Sequence, residues 1–450
     1  MYYAPPTVAH HAAPSHFGTL NSRDLLGLWL LACAASAIVG THGILYWDAG
    51  DYTTLAITGG RSGLFLGRPL FLLISRAIVR AGVDPMWAEP VLRWFWMLVG
   101  GSAAPAMAVL AARLGLDRPS AWLAGAMIAV SPSFAHTAHQ VLTDAPALAL
   151  SIAALAAAAS GRAIPTGILL GAAILMRETA AIHIVAAVLL LGARRSGIAI
   201  AAMLAIIVAT LWAFPAAGLA RWVEALSHNA TASPPDWRGI GVSMLWVFAA
   251  GPLPVAVGIL GLRRETNRRV MLVAVPAAIA TAALLFYPEG SYSPRYVLAS
   301  APVAFLLPAA TWLSTRRRLA AVGLAIPLAM VPLLTQTSRV VAARGAVVQG
   351  QMQLLPDRSL VVPAHYCPQA RLGAAIYKRS DLSLMCPGWD WPADPAATLE
   401  ASRASGRPIA LDLNSEDWWG AHEAADLVAI RAWANRHSGR DVAGFFVVDR

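Results

Sequence analysis

The segment Tyr46-Trp47-Asp48-Ala49-Gly50-Asp51-Tyr52 follows directly after the first long apolar run of the chain, residues 25–45. It carries two carboxylates at the point where the chain would leave a membrane. A carboxylate in that position is costly unless it faces water, a partner or a substrate. Asp48 and Asp51 are therefore the first candidates for a functional site.

The composition is that of a membrane protein. The 450 residues are 58% hydrophobic and 13% charged, with a mean hydropathy of +0.59. A soluble protein of this length would be far less apolar. About eleven apolar runs are long enough, or nearly so, to cross the hydrocarbon core of a bilayer. They lie at residues 25–45, 91–112, 119–136, 141–160, 164–176, 179–193, 197–215, 241–262, 270–287, 296–313 and 319–335. The sequence therefore predicts a mainly α-helical, polytopic protein with about 11 transmembrane helices.

The arginines set the expected orientation. The formal net charge is +10, and much of it falls in short clusters between apolar runs. Positive clusters favour the cytoplasmic side. A cytoplasmic N-terminus, with residues 1–24 as a disordered tail, places all six clusters on that side: Arg23; Arg113 with Arg118; Arg162; Arg194 with Arg195; Arg263, Arg264, Arg268 and Arg269; and Arg316 to Arg318. This pattern orients spans and gives no indication of nucleic-acid binding.

One predicted outer loop, residues 46–90, departs from this charge rule because it also carries four arginines: Arg61, Arg68, Arg76 and Arg80. Long loops obey the rule only weakly. The segment Pro69–Arg80 is too short and too charged to span comfortably, and it is more typical of a helix lying in the membrane interface. If it did span, the side assigned to every later segment would reverse.

The region after about residue 336 is polar, and short apolar strands alternate with helical patterns. We expect strands at 360–362, 382–384, 409–413 and 445–448, with helices near 369–379, 396–405 and 420–437. Residues 336–450 are thus predicted to form a small extracytoplasmic α/β domain with a mainly parallel sheet. Outside the cytoplasm, Cys367 and Cys386 are candidates for a disulfide.

Four polar groups fall at the predicted outer face of the membrane. They are Asp48 with Asp51; His136, His139 and Asp144; Arg177 with Glu178; and Arg295 with Tyr296. The pair Arg177-Glu178 joins two half-length apolar runs, and such breaks are tolerated where they line a cavity. Acids and arginines together suit a reaction in which a base deprotonates an acceptor while cations hold the departing phosphate of a lipid-linked donor.

These motifs resemble the GT-C superfamily of membrane glycosyltransferases, and most closely the protein O-mannosyltransferase and aminoarabinose-transferase group. In that group an Asp after the first span is followed by an aromatic residue four positions on and often by Ala eight positions on. Asp48, Tyr52 and Ala56 match this spacing. The family's usual Glu after that Asp is replaced by Ala49, and Asp51 is present instead, which leaves open whether Asp51 takes over part of its role.

Three further motifs extend the resemblance to residues 25–335. They are Leu142-Thr143-Asp144-Ala145-Pro146, the stretch 171–180 around Arg177, and Ser293-Pro294-Arg295-Tyr296-Val297-Leu298 followed by Pro302. The resemblance implies that a sugar moves from a polyprenyl-phosphate carrier to a lipid, glycan or protein acceptor of the cell envelope, outside the cytoplasm of a bacterial inner membrane.

The same resemblance implies residue roles. Asp48 would be the general base, and Arg177 and Arg295 would neutralise the leaving phosphate. Asp144 would bind the donor phosphate region or the acceptor, directly or through a divalent cation such as Mg or Mn. Tyr52, Tyr296, Glu178 and His139 complete the expected substrate-binding set, with Asp51 a second catalytic candidate. No residue set predicts a bound metal.

Each candidate also has a structural reading. Asp48 could serve only as the N-cap of the helix that follows it, and Asp51 could simply be solvated. Asp144, between Thr143 and Pro146, has the sequence of a helix start. Arg177 and Glu178 suit an ion pair that satisfies a helix break. At the level of function, a transporter or flippase for a lipid-linked or anionic substrate is the main alternative, and a non-catalytic receptor or assembly factor is a second.

Overall fold

The computed structural model describes residues 20–39, 47–60, 67–213, 237–286, 294–386, 391–418 and 421–449. Most of the described chain is helical. The helices before residue 290 are α1 (Ser22–Ile38), α2 (Trp47–Thr58), α3 (Pro69–Arg80), α4 (Pro85–Gly101), α5 (Ala103–Arg113), α6 (Arg118–Ala129), α7 (Pro132–Ala138), α8 (Asp144–Ala159), α9 (Ala163–Met176), α10 (His183–Leu191), α11 (Ala193–Ala213), α12 (Trp237–Phe248), α13 (Pro252–Leu262) and α14 (Arg268–Leu285). The later elements are α15 (Leu307–Leu313), α16 (Arg317–Gln351), β1 (Leu360–Val362), α17 (Cys367–Ile376), β2 (Ser383–Leu384), α18 (Pro395–Ala404), β3 (Ile409–Leu411), α19 (Ala421–Ala434), β4 (Arg440–Val442) and β5 (Phe445–Val448).

Several helices have the length and composition of membrane spans, as expected of a multi-pass membrane protein. Three helical stretches are long and apolar enough to cross a membrane among the described residues: Pro85–Arg113, which comprises α4 and α5, Ala193–Ala213 and Arg268–Leu285. The sequence predicts one span over residues 241–262, but the structure bends it by 95° between Phe248 and Pro252. Proline opens the second half of this pair because it lacks the N–H that a continuous helix would use. The number of spans stays a prediction.

The helix that ends at the candidate site, α9, packs closely on α11. A Cβ atom at Gly167 would lie 2.0 Å from the backbone oxygen of Ala199, and one at Gly171 would lie 2.0 Å from the side chain of Ile206. Small residues four apart let two helix backbones approach closely, which is how apolar helices associate in membranes. This contact fixes the axis of α9 and hence the position of Arg177 at its end.

Helices α2 and α3 belong to the predicted first outer loop, and they are held together. The guanidinium group of Arg76 donates to the backbone oxygen of Leu55 at 3.2 Å and to that of Gly60 at 2.5 Å. Arg76 thus ties α3 to the last turn of α2 and to the residues that follow it. On the other face of α3, Phe71 stacks on Trp96 with ring centroids 4.3 Å apart. The structure therefore buries Trp96 in the core, whereas its neighbour Trp94 is 53% exposed.

The strands form a five-stranded sheet of order β2-β1-β3-β5-β4. The pairs β1–β2 and β1–β3 are parallel, but β3–β5 and β4–β5 are antiparallel. The expectation of a mainly parallel sheet was wrong, because β4 forms a hairpin with β5. Strand β4 was not predicted, because Arg440-Asp441-Val442 is short, charged and mostly exposed at the sheet edge.

The helical and sheet parts of the chain are in contact. Helix α16 runs as one element from Arg317 to Gln351, through the predicted domain boundary at residue 336. Helix α17, which follows β1, packs on both α16 and α2. Its residues Leu372 and Ile376 share an apolar cluster with Tyr52 and Leu55 of α2. The sheet region is therefore joined to the segment that carries Asp48.

Candidate active site

The candidate side chains come together from helix ends and from one 3-10 turn. Asp48 lies in the first turn of α2, and Asp144 is the first residue of α8. Helix α9 ends because Arg177 adopts an extended backbone, with φ −158° and ψ 124°. Arg295 and Tyr296 lie in the 3-10 turn Pro294–Ala299. Each side chain thus leaves its element where the backbone is irregular, as expected of a site lined by broken helices.

The charged side chains form a continuous alternating chain. Arg295 makes an ion pair with Asp48 through Nη2, and its Nε lies 3.7 Å from Oδ2 of Asp144. That same oxygen accepts a hydrogen bond from Nη1 of Arg177 at 2.9 Å. The guanidinium group of Arg177 also lies over the ring of Tyr296, 4.4 Å from its centroid, at a distance typical of a cation–π contact. The order Asp48, Arg295, Asp144, Arg177 links four of the predicted site residues.

Asp144 does more than start its helix. The preceding residue, Thr143, makes no side-chain capping bond to α8. Its hydroxyl instead accepts from Nη1 of Arg177 at 3.2 Å. The structural reading of this motif as a helix start is therefore incomplete, because both Thr143 and Asp144 are used to hold Arg177.

Arg177 is buried and has hydrogen-bond donors that are not used. It is 2% exposed, and among the described residues its Nε and Nη2 atoms have no hydrogen-bond partner. A buried donor without a partner costs about 1–3 kcal/mol, so such groups are normally bonded to something. A guanidinium group with two free, buried N–H positions is a ready partner for a planar or tetrahedral anion.

A third arginine, Arg68, was not among the predicted site residues. It is 8% exposed, its Nη2 donates to Oε1 of Glu178 at 2.8 Å, and its Nε has no partner among the described residues. Burial opposes its charge, but the acidic groups around it, with Glu178 foremost, together outweigh burial and hold the pKa of Arg68 above its ordinary value. One signal in the sequence was available, because Arg68 lies in a predicted outer loop where the charge rule disfavours arginine.

Asp48 is the accessible acid of the set. Its side chain is 28% exposed, against 3% for that of Asp144. Burial alone would raise the pKa of Asp48, but the nearby guanidinium groups of Arg295 and Arg177 outweigh it and lower the pKa below its ordinary value. Burial raises the pKa of the neighbouring Tyr52 to about 12. At neutral pH, Asp48 is therefore a carboxylate and Tyr52 a neutral phenol.

Comparison with known proteins bears on the fold alone. No family model matches the sequence, and no curated protein matches it. The crystal structure of ArnT from Cupriavidus metallidurans bound to undecaprenyl phosphate matches with a TM-score of 0.61 at 14% identity, over 94% of this chain and 97% of that one. ArnT is an aminoarabinose transferase of GT-C type.

The archaeal oligosaccharyltransferase AglB from Archaeoglobus fulgidus, in complex with an inhibitory peptide and a dolichol-phosphate, matches with a TM-score of 0.53 at 11% identity. That match covers 95% of this chain and 74% of AglB. This chain has the GT-C fold. The predicted resemblance is thereby confirmed as a likeness of fold. A partial match to the S. cerevisiae Pmt1-Pmt2 protein O-mannosyltransferase, over 44% of this chain with a TM-score of 0.33, adds nothing to it.

Within this GT-C fold, the other predicted site residues lie around the charged chain. Tyr52 is buried one turn after Asp48 on α2, with its ring centroid 5.0 Å from that of Phe71. Glu178 pairs with Arg68. His139 is buried at the end of α7, five residues before Asp144. Asp51 differs from the rest, because its carboxylate makes an ion pair with Arg371 of α17.

The predicted divalent cation has no clear ligand set. Among the described residues, no three His, Cys, Asp or Glu side chains are grouped so that they could hold a metal ion. The two acids that would be its ligands, Asp48 and Asp144, contact guanidinium groups instead. Arginine therefore supplies the positive charge that lies against both acids here, and a divalent cation stays a prediction.

Proposed function

We propose that the chain is a glycosyltransferase that moves a sugar from a polyprenyl-phosphate-linked donor to an acceptor lipid, glycan or protein of the cell envelope. The observation that carries the proposal is the chain of Asp48, Arg295, Asp144 and Arg177, in which one acid is accessible and one buried arginine has unused donors. In this reading the site lies at the extracytoplasmic face of a bacterial inner membrane.

The arginines would bind the phosphate of the donor. Arg177 offers Nε and Nη2, and Arg68 offers Nε, so three buried donor nitrogens are available to phosphate oxygens. Charge-assisted bonds from arginine to phosphate are strong and directional. Negative charge develops on this phosphate as the sugar leaves, and fixed cations stabilise such charge most in a water-poor site. The polyprenyl chain would remain in the membrane.

Asp48 would act as the general base. The acceptor hydroxyl oxygen attacks C1 of the sugar, the bond from C1 to the phosphate oxygen breaks, and the polyprenyl phosphate leaves with the electron pair. The hydroxyl proton passes to Asp48. Because Arg295 pairs with Asp48 in the free protein, a donor phosphate that competes for Arg295 would release the carboxylate and restore its basicity. Donor binding would thus prepare the base.

The decisive experiment compares sugar transfer by wild type and Asp48→Asn, purified in lipid nanodiscs. The donors are radiolabelled undecaprenyl-phosphate sugars, and the acceptor is a cell-envelope extract. Asp84→Asn is the matched control, since Asp84 is an acid of the same predicted loop that only caps α4, accepting from Met86 N at 2.8 Å. Removal of a general base typically costs 10²–10⁴-fold, so we expect at least a hundredfold loss in Asp48→Asn and none in Asp84→Asn.

Binding is measured beside transfer, as the shift in unfolding temperature caused by undecaprenyl phosphate. Asp48→Asn should keep this shift, because the phosphate ligands are unchanged. Equal transfer by Asp48→Asn and wild type would remove Asp48 as the base. Binding with no transfer from any donor, accompanied by movement of undecaprenyl phosphate between leaflets, would overturn the enzyme proposal in favour of a flippase.

A further inference from the structure

Helix α17, in the polar C-terminal part of the chain, lies directly on the segment that carries Asp48. The closest approach is at Gly50, between the two acids of α2. A Cβ atom there would lie 2.7 Å from Cβ of Pro368 and 3.2 Å from the backbone carbon and oxygen of the same residue. The contact thus depends on the absence of a side chain at position 50.

An ion pair lies beside this contact. Nη1 of Arg371 lies 3.3 Å from Oδ1 and 3.4 Å from Oδ2 of Asp51. The side chain of Asp51 is 5% exposed and that of Arg371 is 25% exposed, so the pair is largely shielded from solvent. A shielded pair of this kind fixes relative position more firmly than an exposed one, in which water competes.

Arg371 is itself held by the sheet region. Its Nη2 lies 3.4 Å from Sγ of Cys386. Cys386 follows β2 and forms a disulfide with Cys367, the first residue of α17. Helix α17 is therefore tied covalently to the sheet at the end that contacts Gly50, and Arg371 projects from the next turn.

The spacing of Asp48 and Asp51 connects this contact to the reaction. Residues three apart on an α-helix lie on neighbouring positions of one face. Fixing Asp51 against α17 therefore fixes the rotation of α2 about its axis, and with it the direction of Asp48 toward Arg295. A small rotation of α2 would move the carboxylate out of reach of the acceptor, and misplacement by about 1 Å can cost about a hundredfold in rate.

We propose that Arg371 is a positioning residue, which holds the general base Asp48 in place through its ion pair with Asp51. This inference rests on the proposed function. It also gives Asp51 a role other than catalysis. The carboxylate of Asp51 binds Arg371 of α17 and does not take part in proton transfer. The site is then composite, with charged residues from the membrane helices and a clamp from the C-terminal region.

The test uses Arg371→Met, which keeps the length of the side chain and removes its charge. Arg371→Lys restores a charge without the planar guanidinium. The double variant Asp51→Asn/Arg371→Met removes both charges, which avoids a buried unpaired acid. Arg403→Met is the control, since Arg403 also belongs to the C-terminal region and pairs with Glu400 at 3.3 Å on the exposed face of α18.

For sugar transfer in nanodiscs, we expect kcat of Arg371→Met to fall ten- to a hundredfold while KM for the donor changes less than about threefold. Arg371→Lys should recover most of kcat. The double variant should lose no more than Arg371→Met, because both substitutions break one contact. Arg403→Met should match wild type. Unchanged kcat in a folded Arg371→Met, or a rise in KM alone, would overturn the proposal.

A second readout does not depend on catalysis. Hydrogen exchange of the peptide covering residues 47–58, followed by mass spectrometry, should be at least tenfold faster in Arg371→Met than in wild type and unchanged in Arg403→Met. Faster exchange in a protein with no transferase activity would support the clamp and refute the proposed function. Unchanged exchange together with transferase activity would refute the clamp alone.

Discussion

Gly50→Ala is the sharpest perturbation that the packing of α2 and α17 offers. The added methyl group would lie 2.7 Å from Cβ of Pro368, about 0.7 Å short of the 3.4 Å at which ordinary contact begins. Because the neighbouring backbone carbon and oxygen are at 3.2 Å, rotating a side chain does not relieve the clash. One helix must move away from the other.

The energetic balance follows from two opposing effects. Alanine is better than glycine in a helix by about 1 kcal/mol, whereas overpacking of this kind costs about 1–3 kcal/mol. We expect a net loss in free energy of unfolding of about 0–2 kcal/mol. A displacement of α2 by several tenths of an ångström should also lower kcat by about tenfold or more.

The matched control is Gly27→Ala in α1, where a Cβ atom meets nothing within 4 Å. This variant has the same gain in helix propensity and no clash, so it should be at least as stable as wild type and fully active. The two variants are compared by thermal unfolding and by sugar transfer in nanodiscs. Full activity in Gly50→Ala would refute the argument that the close contact of α17 holds the catalytic segment.

Three further predictions concern the site and its support. Arg177→Gln should weaken undecaprenyl phosphate binding about ten- to a hundredfold, because charged hydrogen bonds contribute about 1.5–3 kcal/mol. Titration of the lipid phosphate against protein in nanodiscs checks this. An unchanged affinity would show that Arg177 does not bind the phosphate. The pKa of Asp48 is lowered in the folded protein, so its ion pairs contribute fully to stability above the pKa of about 3.9 in the unfolded chain and lose this contribution only as the pH falls through the lower folded pKa. A plot of log kcat/KM against pH should therefore be flat on its acid side down to about pH 4. A fall in kcat/KM near pH 6 that is assigned to Asp48 would contradict this. Replacing both Cys367 and Cys386 by Ser opens a loop with a sequence separation of 19, which should lower the free energy of unfolding of the sheet region by about 3 kcal/mol. An unchanged midpoint in denaturant unfolding of this region would show that the disulfide does not stabilise it.

The sequence predicted the parts of the site that depend on local pattern. Asp48, Asp144, Arg177 and Arg295 could be found because each lies where an apolar run begins or breaks, and a charge at such a place is informative by itself. Their common side followed from the alternation of basic clusters. The structure then places these four residues in one connected chain.

What the sequence did not predict depends on contacts between distant segments. Glu178 was found, but its partner Arg68 was not, because the two are 110 residues apart. The ion pair of Asp51 with Arg371, at a separation of 320 residues, was not predicted either, because Arg371 belongs to a region with no recognisable motif. The pattern of charges shows that a residue needs a partner, but tertiary packing decides which one it has.

The separation between Asp51 and Arg371 also bears on biogenesis. During synthesis α2 leaves the ribosome 320 residues before Arg371 is made, so newly inserted membrane helices carry Asp48 without its clamp. The clamp can form only after the C-terminal region has been made and has folded against α2. Nascent or truncated chains should accordingly bind the lipid carrier but transfer sugar slowly, and full activity would appear only when the last quarter of the protein has folded.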